Sequence, residues 1–228
     1  MKDMKISRMA LLFTALVLVV ATTTGCIAPL PPPDPNNPIV KVAVLPMNNK
    51  TNDMEGPNWV RAAFAQMVPS RYYMVVSSAT VDQTLKDQLG VTIGGQLDFT
   101  NPGAGAPTPQ KVGEVLGVDG LFYGTLEDFQ NLITGFYNKR KVAATFKLVN
   151  AKTGQTVWEK TEEASQTDMQ LSVSGALSAV RDKVAGAVIN KALRVNPLQV
   201  QTNQVVSQFQ RQIPSGPVAT AAVRREAR

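Results

Sequence analysis

The chain of 228 residues contains no histidine. That removes the commonest general base and the commonest metal ligand together, and leaves its serines without a partner for a conventional catalytic triad. It contains one cysteine, so no disulfide can close within the chain. Gly94-Gly95 and Gly103-Ala104-Gly105 are not followed by Gly-Lys-Ser/Thr, so neither reads as a phosphate loop. The acidic pairs Glu127-Asp128 and Glu162-Glu163 are adjacent residues. On strands such neighbours point to opposite faces, which rules out a carboxylate dyad in either pair. The apolar run Met9–Ala21, broken by Thr14, is thirteen residues long. A membrane-spanning helix needs roughly 20. These absences point away from an enzyme, a metalloprotein or a cofactor carrier.

The formal charge of +6 is not a nucleic-acid signal. Lys2, Lys5 and Arg8 against Asp3 contribute +2 before residue 26, and Arg211, Arg224, Arg225 and Arg228 against Glu226 contribute +3 after residue 195. The body between carries about +1, too little for a basic face.

What is present begins with an address. A basic start, a short apolar run and the small residues Thr23-Thr24-Gly25 lead directly to Cys26. This is the grammar of an export signal, with cleavage expected between Gly25 and Cys26. The ending resembles a bacterial lipobox, with Thr23 where that pattern favours Leu. The resemblance implies that Cys26 becomes the first mature residue and carries covalent lipid. Six prolines then fall between Pro29 and Pro38. Proline fixes φ and removes a donor, so 26–38 reads as an extended tether. At roughly 3.1 Å per residue it would reach about 40 Å to Ile39.

From residue 39 the pattern is that of an α/β domain. Ile39–Leu45 is an apolar, β-branched run, expected as a strand buried on both faces. Pro57 opens a helix whose stripe is Val60, Ala63, Phe64, Met67 and Val68, and Tyr72–Val76 forms the next strand. That is a β-α-β unit with parallel strands. Thr80 and Gln83 suggest a capping box for a helix closed by Gly90. Residues 91–107 read as a long loop, and Thr108-Pro109 starts a short helix that stops at Gly117. Gly120–Thr125 is a strand whose glycines imply close backbone approach. An antiparallel meander follows, with a strand around 141–148, a turn at Asn150–Gly154 and a return strand at 156–162. Tyr72, Tyr73, Phe122 and Tyr123 are expected in the core. A long helix at about 172–195 is expected to pack across the sheet. The expected fold is therefore a single α/β domain, 39–195, with a mixed sheet flanked by helices. Residues 196–228 are expected as a tail, partly helical around 205–213 and then disordered.

Three blocks carry a resemblance. They are Ile39–Pro46 with Asn49 and Thr51, Gly117–Gly124, and Phe146–Gly154 with Trp158. Across roughly 39–165 the chain resembles a bacterial lipoprotein family typified by a neisserial surface lipoprotein. It is more distantly similar to the periplasmic domain of CsgG and the amino-terminal domain of TolB. The resemblance implies an outer-membrane lipoprotein, periplasm-facing or surface-exposed, and a CsgG-like outer-membrane partner in an envelope transport system. It brings no catalytic residue.

The remaining candidate site is the polar loop after the first strand, Asn48, Asn49, Thr51, Asn52 and Asp53. Open α/β sheets bind ligands beyond the carboxyl ends of their strands. The loop reads first as a solvated loop that caps the next helix, and alternatively as a candidate partner or ligand contact. Two functions stay open on these residues: an accessory subunit of a CsgG-type export system, or an autonomous periplasmic binder of peptide or cell-wall material. A sheet edge of the meander or the small residues of 172–195 offer a candidate homodimer contact, and those small residues read alternatively as packing against the sheet of the same chain.

Overall fold

The computed structural model describes residues 29–90, 107–134, 137–169 and 196–217. The chain divides into a short unit, Met1–Pro31, and a second unit from Pro32 that holds every described helix and strand. The expected signal, Cys26, most of the 91–107 loop, the 172–195 helix and the last eleven residues lie outside the described residues.

The described residues of the second unit form a mixed α/β domain with an open sheet of six strands flanked by four helices. In chain order the strands are β1 (Lys41–Val44), β2 (Asn48–Asn49), β3 (Met74–Val75), β4 (Gly120–Ile133), β5 (Tyr137–Asn150) and β6 (Thr156–Met169). The helices are α1 (Gly56–Met67), α2 (Ser78–Leu89), α3 (Pro109–Leu116) and α4 (Gln199–Gln212). The sheet order is β3-β1-β4-β5-β6, with β2 pairing β4 beyond the end of β1. β1 is central, parallel to β3 and to β4, while β4, β5 and β6 run antiparallel. The expected β-α-β half followed by a meander is what forms.

The alternation of side chains along the strands divides the core in two. Val42, Val44, Phe122, Phe146 and Leu148 face one side, where α1 and α4 pack with Val60, Phe64, Val205 and Phe209. Ala43, Leu45, Leu121 and Tyr123 face the other, against Val81 and Leu85 of α2 and Val112 and Leu116 of α3. The first side is dominated by rings. Phe64 stacks on Phe146 with centroids 3.7 Å apart, and Phe209 meets Phe64, Phe146 and Trp158 edge-on at 5.2 to 5.9 Å. Aromatic pairs in these geometries add to the stabilisation that their buried area already provides.

The close approach expected at the β4 glycines is real. A β-carbon on Gly120 would lie 2.6 Å from Ile39, and one on Gly124 would lie 2.7 Å from Phe146. Asp119, just before β4, stitches three segments. Its carboxylate accepts the Lys41 N–H at 3.2 Å and pairs with Lys152 of the β5–β6 turn at 3.2 Å. Burial opposes the charged form, but these bonds outweigh it and hold the carboxyl below its usual pKa. The turn is closed by Gly154 at φ 74° and by the Asn150 Oδ1, which accepts the Lys152 N–H.

Five details differ from the sequence reading. Tyr72, expected in strand and core, is half-buried and left-handed at φ 69°, ending the 68–71 turn, so that β3 is only Met74–Val75. The cap of α2 is Ser77, not Thr80: its extended backbone lets Oγ accept the Thr80 N–H at 3.1 Å, and Gln83 reaches forward to Asp87. The meander strands are fourteen residues each, because a bulge between Leu126 and Asp128 lets β4 go on pairing with β5 to Ile133. α4 and Ile213 belong to the core rather than to a tail, with Val205, Phe209 and Ile213 no more than 1% exposed. The tether is not free up to Ile39. The Asp34 N–H donates to the Gly216 carbonyl at 3.0 Å, and Asn37 Nδ2 donates to the Tyr73 hydroxyl and the Ser215 carbonyl.

Arg71 completes that clasp. Its side chain is buried, and it donates through Nε and Nη2 to the Ile213 carbonyl and through Nη2 to the Ser215 hydroxyl. Burial depresses its pKa. Tyr73, buried beside it, donates to the Pro214 carbonyl and is pushed up to about 12. The two ends of the domain are thus tied to each other, which apolar periodicity alone does not reveal.

Candidate functional site

At the carboxyl end of β1, where an α/β sheet of this topology offers a crevice, the chain fills the space itself. Arg61 of α1 is 6% exposed. Its Nε and Nη2 donate to the Val44 carbonyl at 3.1 and 2.8 Å, and it pairs with Asp82 of α2 at 2.7 Å. The ion pair joins helices that pack on opposite faces of the sheet. Sequence reading missed it, because an arginine between Val60 and Phe64 has no local signal of its partner. Its donors are committed to the fold, so it is a brace across the crevice.

The predicted loop lies just beyond. β2 holds Asn48 and Asn49 beside Thr125 and Leu126 of β4. The Asn49 Oδ1 accepts from the Thr51 N–H at 2.9 Å and from the Thr51 hydroxyl at 2.8 Å, while Asn49 Nδ2 donates to the Asp53 carbonyl at 2.8 Å. The Asp53 carboxylate accepts the N–H groups of Glu55 and Gly56 at 3.0 and 2.6 Å, at the start of α1. The loop is therefore a self-bonded helix cap, as one of the two readings of the sequence has it. Asn52 is exposed at its turn.

The same loop also forms a wall. Residues 50–53 and 127–130 line an open pocket of about 320 Å³. Lys50 pairs with Glu127 at 2.8 Å across its mouth, and Glu127 also accepts from the Thr145 hydroxyl at 3.1 Å. Asp128 pairs with Lys141 at 3.3 Å, and Lys141 in turn with Glu163 at 2.9 Å. These bonds, first to Glu163 and then to Asp128, raise the Lys141 pKa. The bulge at Leu126/Asp128 sets Glu127 and Asp128 on the same face, against the expectation of opposite faces, and each is tied to a different lysine, Glu127 to Lys50 and Asp128 to Lys141. Of the second pair, Glu163 shares Lys141 and Glu162 accepts from Gln212. Met54 stands next to the pocket with 81% of its surface exposed. Among the described residues no group of acidic or cysteine side chains is placed to hold a metal ion.

Comparison with known proteins agrees with the lipoprotein resemblance. The model of the family described as "Putative lipoprotein GNA1162-like" matches residues 36–217. The chain belongs to this family. The matched span includes α4 and the segment clasped by Arg71, so the family unit ends past residue 195. A relative from Neisseria meningitidis serogroup B, "Putative lipoprotein NMB1124/NMB1162", is 23% identical over 158 residues, 68% of this chain and 70% of the relative. The crystal structure of lipoprotein GNA1162 from Neisseria meningitidis is similar at a TM-score of 0.47 and 24% identity, covering 66% of this chain and 99% of that one. The PelC dodecamer from Paraburkholderia phytofirmans gives 0.45 and 11%, covering 81% and 96%. Likenesses at these scores carry nothing about activity or assembly.

Proposed function

We propose that this protein is anchored to the outer membrane by lipid on Cys26 and acts there by binding another protein, not by turnover. The observation that carries the reading is the position of the sole cysteine. It closes an export-like segment in a chain of a lipoprotein family, and it lies eight residues before Asp34, which is bonded to the domain. One acyl chain holds a bilayer only marginally, so stable anchoring needs more than one. Ile27, a residue other than Asp after the cysteine, resembles lipoproteins sorted to the outer membrane.

Palmitate labelling tests the anchor. The wild type takes up label and fractionates with the outer membrane, and Cys26→Ser does neither. Equal labelling of the variant overturns the anchor.

Within this reading the partner is a CsgG-like outer-membrane protein of an envelope export system, a proposal that rests on the resemblance across 39–165. Exposed Met54, which follows Asp53 in the chain, supports a protein contact through the loop of Asn48, Asn49, Thr51, Asn52 and Asp53. A crosslinked pull-down from membranes, with the partner identified by mass, is expected to recover such a protein from the wild type and less of it from Met54→Lys. The open pocket, with a cation and a carboxylate at its mouth, favours the other reading, a binder of peptide or cell-wall material. Saturable binding of a cell-wall peptide, with no protein recovered, would establish that one instead.

A further inference from the structure

The sheet has two edges of very different quality. β3 offers two residues. β6 offers fourteen, and among the described residues it pairs with β5 alone. Natural edges are blunted by shortness, proline, bulges or lysines, because a row of unpaired N–H and C=O groups is a template for another strand. β6 has no proline, a single lysine, and its only register shift lies near Val157, at its beginning. Most of its side chains from Glu159 to Met169 are exposed.

The order of charges on this edge selects its occupant. We infer that β6 pairs antiparallel with β6 of a second copy of the chain, about a twofold axis at Ala164. A twofold pair is self-complementary, so each contact occurs twice. Centred at Ala164, it sets Lys160 opposite Asp168, Glu162 opposite Gln166, Thr161 opposite Thr167, Glu163 opposite Ser165 and Glu159 opposite Met169. Two opposite-charge pairs form and no like charges meet. The neighbouring registers fail on charge. Centring at Thr161 sets Glu159 against Glu163, centring at Glu162 or Glu163 sets that glutamate against itself, and centring at Ser165 sets Glu162 against Asp168. Like charges directly opposite are destabilising in a sheet, and opposite charges contribute. The pairing joins two sheets of the described order into one continuous sheet and leaves the Lys50–Glu127 pocket of each copy outside the contact. It does not depend on the lipid anchor or on the partner proposed above.

The full chain, extracted from membranes in mild detergent, is tested by sedimentation equilibrium with the detergent density-matched. The wild type is expected as a dimer. Lys160→Glu and Asp168→Lys should each raise the dissociation constant about tenfold or more, since each converts two attractive cross-strand pairs into repulsive ones. The double variant K160E/D168K should restore the wild-type constant, and Lys86→Glu, on the exposed face of α2 and remote from the edge, should leave it unchanged. A monomeric wild type, single variants that still dimerise normally, or a double variant that fails to recover would each overturn the pairing. Amide hydrogen exchange on the wild type needs no variant. The outward N–H groups of 159–169 should slow as concentration rises through the dimer range, and exchange independent of concentration would also overturn it.

Discussion

The two halves of this sheet are finished differently. Around β1 both faces are covered, by α1 and α4 on one side and by α2 and α3 on the other. Along β5 and β6 only the first face is covered by described helices. On the second face the α2–α3 cluster takes only Val149 from β5 and Ala151 after it, and beyond them lie Lys141, Thr145, Glu159, Thr161 and Glu163. Residues of both faces of β1 are therefore held by packing, and residues of the wet face are held by ion pairs and a Thr145–Thr161 hydroxyl contact at 2.8 Å. Packing on two sides leaves no room for a binding surface. Among the described residues, the half-covered end of the meander, with its pocket and its edge strand, is where surface is left exposed.

The contrast can be broken most severely at its centre. Val44→Asp places an unpaired charge in a fully buried position, and such a charge is strongly disfavoured. The expected outcome is a chain with no cooperative thermal transition by circular dichroism. Phe209→Ala removes the ring that α4 inserts between Phe64, Phe146 and Trp158, and should cost about 3–5 kcal/mol by urea unfolding. A loss near zero would put α4 outside the core. Arg61→Ala strands Asp82 and the Val44 carbonyl and should cost about 3–5 kcal/mol. If the stability is unchanged, the brace across the crevice is not structural.

The alkaline titration is a smaller effect with a definite sign. Burial raises Tyr73 and Tyr123 from 10.0 to about 12. A group raised in the folded state stabilises fully below its unfolded pKa, and that contribution disappears as pH rises through the folded value. Stability should therefore fall between pH 10 and about 12, and Tyr123→Phe should flatten part of the fall. The least effect is expected on the wet half. Lys50→Ala removes an exposed ion pair and should change unfolding by less than about 1 kcal/mol. A loss of several kcal/mol there would mean that the pocket wall is part of the core.

Much of the fold could be read from local pattern. The apolar run Ile39–Leu45 announces a doubly buried strand because its residues on both parities are apolar. Thr108 and Gly117 bracket α3 because capping chemistry acts within one turn. The polar loop after β1 was legible as a loop, since Asn49, Thr51 and Asp53 bond to neighbours within four residues.

What the chain by itself determined about this protein is the order of its elements, the β-α-β half, the meander and the lone cysteine behind an export-like start, because periodicity, capping and composition are local quantities. What only the tertiary structure decided is everything that needs two distant segments at once. Arg61 finds Asp82 across the end of β1, Arg71 and Asn37 bind the 213–216 segment to the start of the domain, and α4 closes the aromatic cluster. The glutamine-rich stretch 199–212 looks marginal alone, with only Val205, Val206 and Phe209 as strong apolar anchors. It becomes core because strands β5 and β6 present Phe146 and Trp158 to it, and burial against a preformed surface supplies what helix propensity does not.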